Sequence, residues 1–129
     1  MDKKNRIMIA KVGCDIHERG ALTMVNAFRD AGYEVIYTGR YQTEQGVAKA
    51  AVAEDVDLIA VSDYTGSLTI ISRHILDAMK DLKVDIPLIC GGLMDVDDIE
   101  EMKKIGVKGC YRTGSTVEEC LADVKAILA

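Results

Sequence analysis

The sequence predicts an α/β protein built on a doubly wound parallel sheet, because two patterns alternate along its 129 residues. Short β-branched, apolar runs are each followed by a helical pattern, five times in all, and parallel neighbours require such crossover helices. The third apolar run is almost continuous, which is typical of a strand covered on both faces. Right-handed crossovers place helices on both faces. The predicted architecture is therefore flavodoxin-like (Rossmann-like), with five strands in the order 2-1-3-4-5.

The apolar runs define the strands, and residues recurring three and four positions apart define the helices. Glycines are predicted to end the first and fourth helices, at Gly32 and Gly106, and Thr43 is placed to cap the second. Strands are expected at residues 6–12, 33–38, 57–62, 86–90 and 107–111. Helices are expected from Ala21, from Thr43, over residues 68–82, around residues 99–105, and over residues 117–128.

Composition restricts the class of protein. The length indicates one domain, residues 1–129. A net charge of -5 argues against binding to nucleic acid or to a membrane surface. No apolar run is long enough to span a bilayer, and no signal-peptide pattern follows the charged first residues. A cytoplasmic location is the expectation.

The four cysteines form no CxxC pair and are expected to be reduced thiols. Cys14 and His17 form a C-x-x-H pair, but a structural zinc site usually needs a second pair, which the sequence lacks.

Polar and glycine-rich loops are predicted to gather at one rim, because the carboxyl ends of parallel strands share one edge of the sheet. The first loop follows strand one and contains Asp15, His17 and Gly20. By itself, this histidine fits a base, a metal ligand or neither. The other loops are residues 62–67, Gly91 with Gly92, and residues 112–116.

Each of these loops allows two interpretations. Gly91 and Gly92 fit either the close approach of a ligand to bare backbone or a turn with unusual dihedral angles. The segment Thr113, Gly114, Ser115 and Thr116 fits either contacts to a phosphate or amide, or an ordinary helix cap.

Several enzyme classes fit poorly. Ser62 and Ser67 lack a nucleophile-elbow motif, and His74 is interpreted as a partly exposed helix residue. No dinucleotide or nucleoside-triphosphate loop occurs. Asp63 occupies the position of an acceptor in a phospho-acceptor switch, but the expected acidic pair and lysine are missing.

Three elements in register, Asp15-x-His17-x-x-Gly20, Ser62-x-Tyr64 and Gly91-Gly92, resemble the cobalamin-binding domain of adenosylcobalamin-dependent mutases. Tyr64 stands where that family has leucine. The flanking text is most similar to the methylmalonyl-CoA mutase type, at residues 10–13, 19–21, 31–35, 42–43 and 105–108.

The resemblance implies specific roles. His17 would be the lower axial ligand of cobalt, Asp15 would hold its other ring nitrogen, and Lys11 would pair with Asp15. The cofactor's nucleotide tail would pass Ser62 and Tyr64 and lie over Gly91 and Gly92. Gly20 belongs to the same three-element fingerprint. Thr113, Gly114 and Ser115 would lie near the corrin edge or the tail.

The implied function is that of a cobalamin-binding small subunit in a two-component acyl-CoA mutase, inactive alone. The resemblance implies a large (β/α)₈-barrel subunit as partner, which would hold the acyl-CoA substrate. The alternatives are a corrinoid carrier or sensor that works with a methyltransferase, a glutamate mutase-type small subunit, and a flavodoxin-like domain without a ligand.

Overall fold

The computed structural model describes residues 4–13, 18–39 and 42–129. Five parallel strands form one sheet in the order β2-β1-β3-β4-β5, which confirms the predicted topology. The strands are β1 (Arg6–Ala10), β2 (Glu34–Tyr37), β3 (Leu58–Asp63), β4 (Leu88–Gly92) and β5 (Gly109–Arg112). The helices are α1 (Arg19–Asp30), α2 (Glu44–Ala53), α3 (Leu68–Asp81), α4 (Val96–Ile105) and α5 (Val117–Ile127).

The sheet separates two apolar layers. Helices α2, α3 and α4 cover one face, with Met8, Ile59 and Ile75 at its centre. Helices α1 and α5 cover the other face, around Ile9 and Phe28. Adjacent residues of one strand point to opposite faces, which is why Ile9 and Met8 belong to different layers. The strand side chains that face α1 and α5 therefore come from every second position along each strand.

The bounds of β4 differ from the prediction. The predicted strand ended at Cys90, whereas Gly91 and Gly92 pair in register with Ser62 and Asp63 of β3. Pro87 lies before the strand because it has no N–H, although its carbonyl oxygen still accepts a hydrogen bond from the Ile59 amide. The glycine pair thus forms the last part of a strand, not a loop.

Smaller differences occur at β1 and α1. β1 ends at Ala10, and Val12 makes only an isolated bridge to Gln42. α1 begins at Arg19, two residues before the predicted start.

The predicted helix ends are confirmed where a specific capping residue was available. The Thr43 hydroxyl accepts a hydrogen bond from the Gly46 amide at 2.9 Å, and Gly106 ends α4 with φ +112°. Thr116 caps α5 in a capping box with Glu119, so the cap interpretation of that segment holds for Thr116. Among the described residues, no helix is both long and apolar enough to cross a membrane.

Candidate functional site: a cleft between α1 and α5

A cleft of about 610 Å³ opens between α1 and α5 at the carboxyl end of the sheet. Its floor is apolar and is contributed by Ile9 of β1, Ala60 of β3 and Ile89 of β4. This volume lies within the range of small-molecule sites, roughly 300–1,000 Å³. The position matches the rule that ligands of open α/β sheets bind beyond the carboxyl ends of the strands.

The cleft is open because small residues occupy the strand positions that face it. In β3, Leu58 and Ala60 belong to the α1/α5 layer, so alternation places Ser62 on the same side. Gly91 is the register partner of Ser62. A Cβ on Gly91 would meet the carbonyl oxygen of Tyr111 at 3.6 Å, an ordinary contact. At Gly91, then, bare backbone faces the cavity.

Gly92 has a different reason to be glycine. Its φ is +135°, and a Cβ there would lie 1.9 Å from the carbonyl oxygen of Asp63. The approach of β3 to β4 itself therefore excludes any side chain. Each interpretation of the glycine pair applies to one residue: ligand access fits Gly91, and backbone conformation explains Gly92.

Tyr64 lies at the mouth of the cleft, packed on the first turn of α1. A Cβ on Gly20 would lie 2.7 Å from the Tyr64 hydroxyl oxygen and 3.2–3.3 Å from two ring carbons. The missing side chain of Gly20 is therefore the space that the Tyr64 ring edge occupies. Both residues line the cavity, together with Ser62. The structure brings these three fingerprint residues together.

Lys11 is fully buried at the end of β1, and its Nζ donates a hydrogen bond to the carbonyl oxygen of Ser62 at 3.3 Å. The buried Nζ atom thus links the residue after β1 to the end of β3. The predicted axial ligand His17, its partner Asp15, and Cys14 of the C-x-x-H pair lie outside the described residues. Their roles, including the pairing of Lys11 with Asp15, stay predictions.

The α5 side of the cleft is polar. Thr113, Gly114 and Ser115 are exposed and line the cavity between β5 and α5. Tyr111 turns back over Gly109 and donates its hydroxyl hydrogen to a carboxylate oxygen of Asp123 at 2.7 Å. Burial, and then this hydrogen bond, raise the pKa of Tyr111. The hydrogen bond to Asp123 holds the ring as one wall of the cleft.

Asp63 does not have the geometry of a phospho-acceptor. It is 1% exposed, and its carboxylate accepts hydrogen bonds from the Thr65 amide at 3.2 Å and from the Ser67 amide at 3.0 Å. The Thr65 hydroxyl, which also approaches Ser67 Oγ at 3.1 Å, donates to the same carboxylate at 2.8 Å. The carboxylate is therefore engaged in holding the β3–α3 loop.

His74 is an exposed residue of α3, as predicted, and its Nδ1 lies 2.7 Å from a carboxylate oxygen of Glu44 in α2. Its hydrogen-bond partner is Glu44 and neither Ser62 nor Ser67, so the described residues show no triad. The three described cysteines, Cys90, Cys110 and Cys120, are free thiols. Over residues 4–13, 18–39 and 42–129, no group of three His, Cys, Asp or Glu side chains could hold a metal ion.

Sequence reasoning missed several cleft residues. Met24 and Phe28 of α1 and Cys120 of α5 line the cavity, although their apolar helical pattern indicates only a buried helix face. Tyr111 was assigned to a strand only. The period of two that relates Ile89 to Gly91 would have placed their neighbour Tyr111 on the cleft side, since β4 and β5 pair at Gly91 and Tyr111.

The cleft is suited to holding an elongated ligand. An apolar end fits the floor, and polar groups of the ligand fit the hydroxyls at the rim.

Comparison with known proteins agrees with this geometry. Residues 5–121 match the family model of the B12 binding domain. The chain is 31% identical to the 2-hydroxyisobutanoyl-CoA mutase small subunit of Aquincola tertiaricarbonis, covering 96% of this chain and 92% of that protein. It is 32% identical to the pivalyl-CoA mutase small subunit of Xanthobacter autotrophicus, covering 82% of that protein. It spans only 16% of the methylmalonyl-CoA mutase of Rhizobium meliloti, at 33% identity.

Solved structures share the fold. A cobalamin-binding protein from Desulfitobacterium hafniense superposes with a TM-score of 0.77 at 18% identity, over 94% of this chain and 60% of that one. A response regulator from Thermotoga maritima superposes with a TM-score of 0.72 at 21% identity, over 98% of both chains. The fold alone therefore does not separate the two classes, whereas the family model and the sequence relatives do.

Proposed function

Because the chain belongs to the B12-binding domain family, we propose that it is the cobalamin-binding small subunit of a two-component, adenosylcobalamin-dependent acyl-CoA mutase. The observation that carries the proposal is the cleft that the small residues Ala60, Ser62 and Gly91 leave open at the end of the sheet. Relatives named as mutase small subunits match over most of their own length, which supports the two-component organisation.

The cleft residues fit the nucleotide tail of cobalamin. The planar lower base is apolar and matches the floor formed by Ile9, Ala60 and Ile89. The ribose and phosphate carry polar oxygens, which match the hydroxyl groups of Ser62 and of the β5–α5 segment. A Cβ on Gly91, which lines the cleft, would enter this space, and its absence supports a group that lies against the strand.

His17 would hold cobalt from the loop after β1, with Asp15 on its other ring nitrogen. A carboxylate in that position fixes the tautomer and orientation of a ligating imidazole. Lys11 supports the arrangement because its buried Nζ anchors the start of this loop to the carbonyl oxygen of Ser62. When bound, adenosylcobalamin supplies the radical chemistry by homolysis of its cobalt–carbon bond.

The remaining functions would belong to a partner. A large catalytic subunit, in this proposal a (β/α)₈ barrel, would bind the acyl-CoA substrate and cover the other side of the corrin. The chain covers 92% of a mutase small subunit and only 16% of a methylmalonyl-CoA mutase, which supports a separate partner for the catalytic part. This chain alone would bind cobalamin and catalyse no rearrangement. A cytoplasmic location stays a prediction of the sequence.

The experiment exploits the fact that the chain contains two histidines, His17 and His74. Purified protein labelled with ¹⁵N-histidine is loaded with cobalamin, reduced to the cobalt(II) state, and examined by electron paramagnetic resonance. If a histidine has replaced the cofactor's own base, the nitrogen splitting changes from triplets in unlabelled protein to doublets in labelled protein.

Variants then assign the ligand. His17→Ala is expected to lose the histidine-derived splitting, and His74→Ala, the matched control on the surface of α3, is expected to retain it. Unchanged triplets in the labelled protein would show that no histidine binds cobalt and would contradict the proposed ligand. Failure to bind any corrinoid would overturn the proposed function as a whole.

A further inference from the structure

We propose that Tyr64 selects among corrinoids by the size of their lower base, because its ring sets the width of the cleft at its mouth. The inference rests on the proposed function, since it concerns how the same cleft accepts the nucleotide tail. It assigns to Tyr64 a role in specificity, distinct from holding cobalt.

The first observation is that the ring bridges two walls of the cleft. Tyr64 directly follows β3, and its hydroxyl and ring edge fill the space left by the missing side chain of Gly20 on α1. Ser62, two residues before it, faces the cavity below. The ring thus closes the part of the mouth that lies between β3 and α1, and a tail must enter beside it, towards α5.

The second observation is that the backbone of Tyr64 is fixed. Asp63 before it is buried, and its carboxylate accepts hydrogen bonds from the Thr65 and Ser67 amides. The carbonyl oxygen of Asp63 accepts from the Leu93 amide at 2.9 Å, which ties the loop to the end of β4. The loop cannot retreat without losing these bonds, so a bulky base would have to displace the ring or bind less deeply.

The opposite wall, formed by Tyr111, cannot move aside to make room for a larger base. The Tyr111 ring is held by its hydrogen bond to Asp123 at 2.7 Å and packs over Gly109. With the Tyr111 ring held by Asp123 and the backbone beside Tyr64 fixed, the opening has a defined width. An apolar pocket of defined width discriminates between ligands that differ by one or two methyl groups by about 10-fold to 200-fold.

The test compares two cobamides that differ only by two methyl groups, one with benzimidazole and one with 5,6-dimethylbenzimidazole as lower base. Affinities are measured by visible-spectrum titration of the purified chain. The unmodified protein is expected to bind the benzimidazole form at least about tenfold more tightly. Cobinamide, which lacks the nucleotide tail, provides the reference for binding of the corrin alone.

Two variants separate ring width from hydrogen bonding. Tyr64→Leu shortens the side chain and is expected to bring the two affinities within about twofold, with cobinamide binding unchanged. Tyr64→Phe keeps the ring and removes the hydroxyl, and is expected to retain the discrimination. Far-ultraviolet circular dichroism checks that both variants are folded.

The proposal is wrong if the unmodified chain binds the two cobamides equally, or if Tyr64→Leu retains the original ratio. Loss of discrimination in Tyr64→Phe would also overturn it, because the hydroxyl and not the ring width would then be responsible. These results are distinguishable from failure of the proposed function, in which none of the three corrinoids binds.

Discussion

Gly92 and the carbonyl oxygen of Asp63 approach so closely that a Cβ on the glycine would lie 1.9 Å from that oxygen. One residue earlier, a Cβ on Gly91 would make only an ordinary 3.6 Å contact with the Tyr111 carbonyl oxygen. Adjacent glycines in β4 therefore serve different purposes. The approach of β3 excludes a side chain at Gly92, whereas Gly91 leaves the cleft open.

This difference predicts opposite outcomes for two otherwise equal substitutions. Gly91→Ala is expected to fold normally and to bind cobalamin at least about tenfold more weakly, because a methyl group enters the cleft. Gly92→Ala is expected to lower the free energy of unfolding by about 2 kcal/mol or more, through backbone strain and the clash with β3. Urea denaturation and cobalamin titration of both variants measure the two effects. Equal stability of the two variants would contradict the assignment.

Gly20 and Tyr64 are expected to behave as a coupled pair. Gly20→Ala places a methyl group against the Tyr64 hydroxyl and should destabilise the fold by about 1–3 kcal/mol, the range for overpacking. Combined with Tyr64→Leu, the same alanine has room and should be tolerated. A double-mutant cycle from urea denaturation measures the coupling, expected at about 0.5–3 kcal/mol. Additive effects of the two substitutions would show that the ring does not fill the space at Gly20.

The Asp63 carboxylate is expected to stabilise the fold. Asp63→Asn replaces one accepting oxygen by a donor that faces the amides of Thr65 and Ser67, and should cost about 1–3 kcal/mol of stability. Asp77→Asn, on the exposed side of α3, serves as the matched control and should change stability by less than about 0.5 kcal/mol. Chemical denaturation of both variants provides the comparison, and equal effects would refute the role of Asp63.

The alkaline stability of the fold should depend on buried thiols. Burial raises the pKa of Cys90 to about 12, above the value near 8.5 of an unfolded chain. Between these two pH values the folded chain retains a proton that the unfolded chain has lost. The contribution of Cys90 to the free energy of unfolding should therefore be fully present below about pH 8. It should decrease as the pH rises towards 12.

Cys90→Ala isolates this contribution. Between pH 8 and pH 10 the variant should lose about 1–2 kcal/mol less stability than the unmodified protein. Urea denaturation at the two pH values gives the difference, and tyrosine ionisation cancels because it is common to both proteins. An identical loss in both proteins would contradict the shifted pKa.

Lys11 offers a test of the link between β1 and β3. Lys11→Met retains most of the apolar stem and removes the donor to the Ser62 carbonyl oxygen. We therefore expect the free energy of unfolding, measured by urea denaturation, to fall by about 1–3 kcal/mol. Lys49→Met, an exposed lysine of α2, is the control. A Lys11→Met variant more stable than the unmodified protein would show that burying the lysine side chain destabilises the fold, contrary to this prediction.

The sequence by itself determined the topology and most of the fingerprint. Alternation of apolar runs with helical patterns is a local signal, and parallel pairing leaves few ways to connect the strands. Thr43 and Gly106 were predictable because capping depends on neighbouring residues only. Gly20, Ser62 and Gly91 were recognisable as a set because their spacing resembles that of a known family.

Only the tertiary structure decided what each of these residues faces. Gly91 and Gly92 are the same residue type in adjacent positions, and only the register of β4 against β3 shows that one opens the cleft and the other avoids Asp63. The contact of Tyr64 with Gly20 joins the β3–α3 loop to α1, more than forty positions away in the sequence. No local pattern encodes such a contact, because it depends on how two crossovers bring the end of β3 beside the first turn of α1.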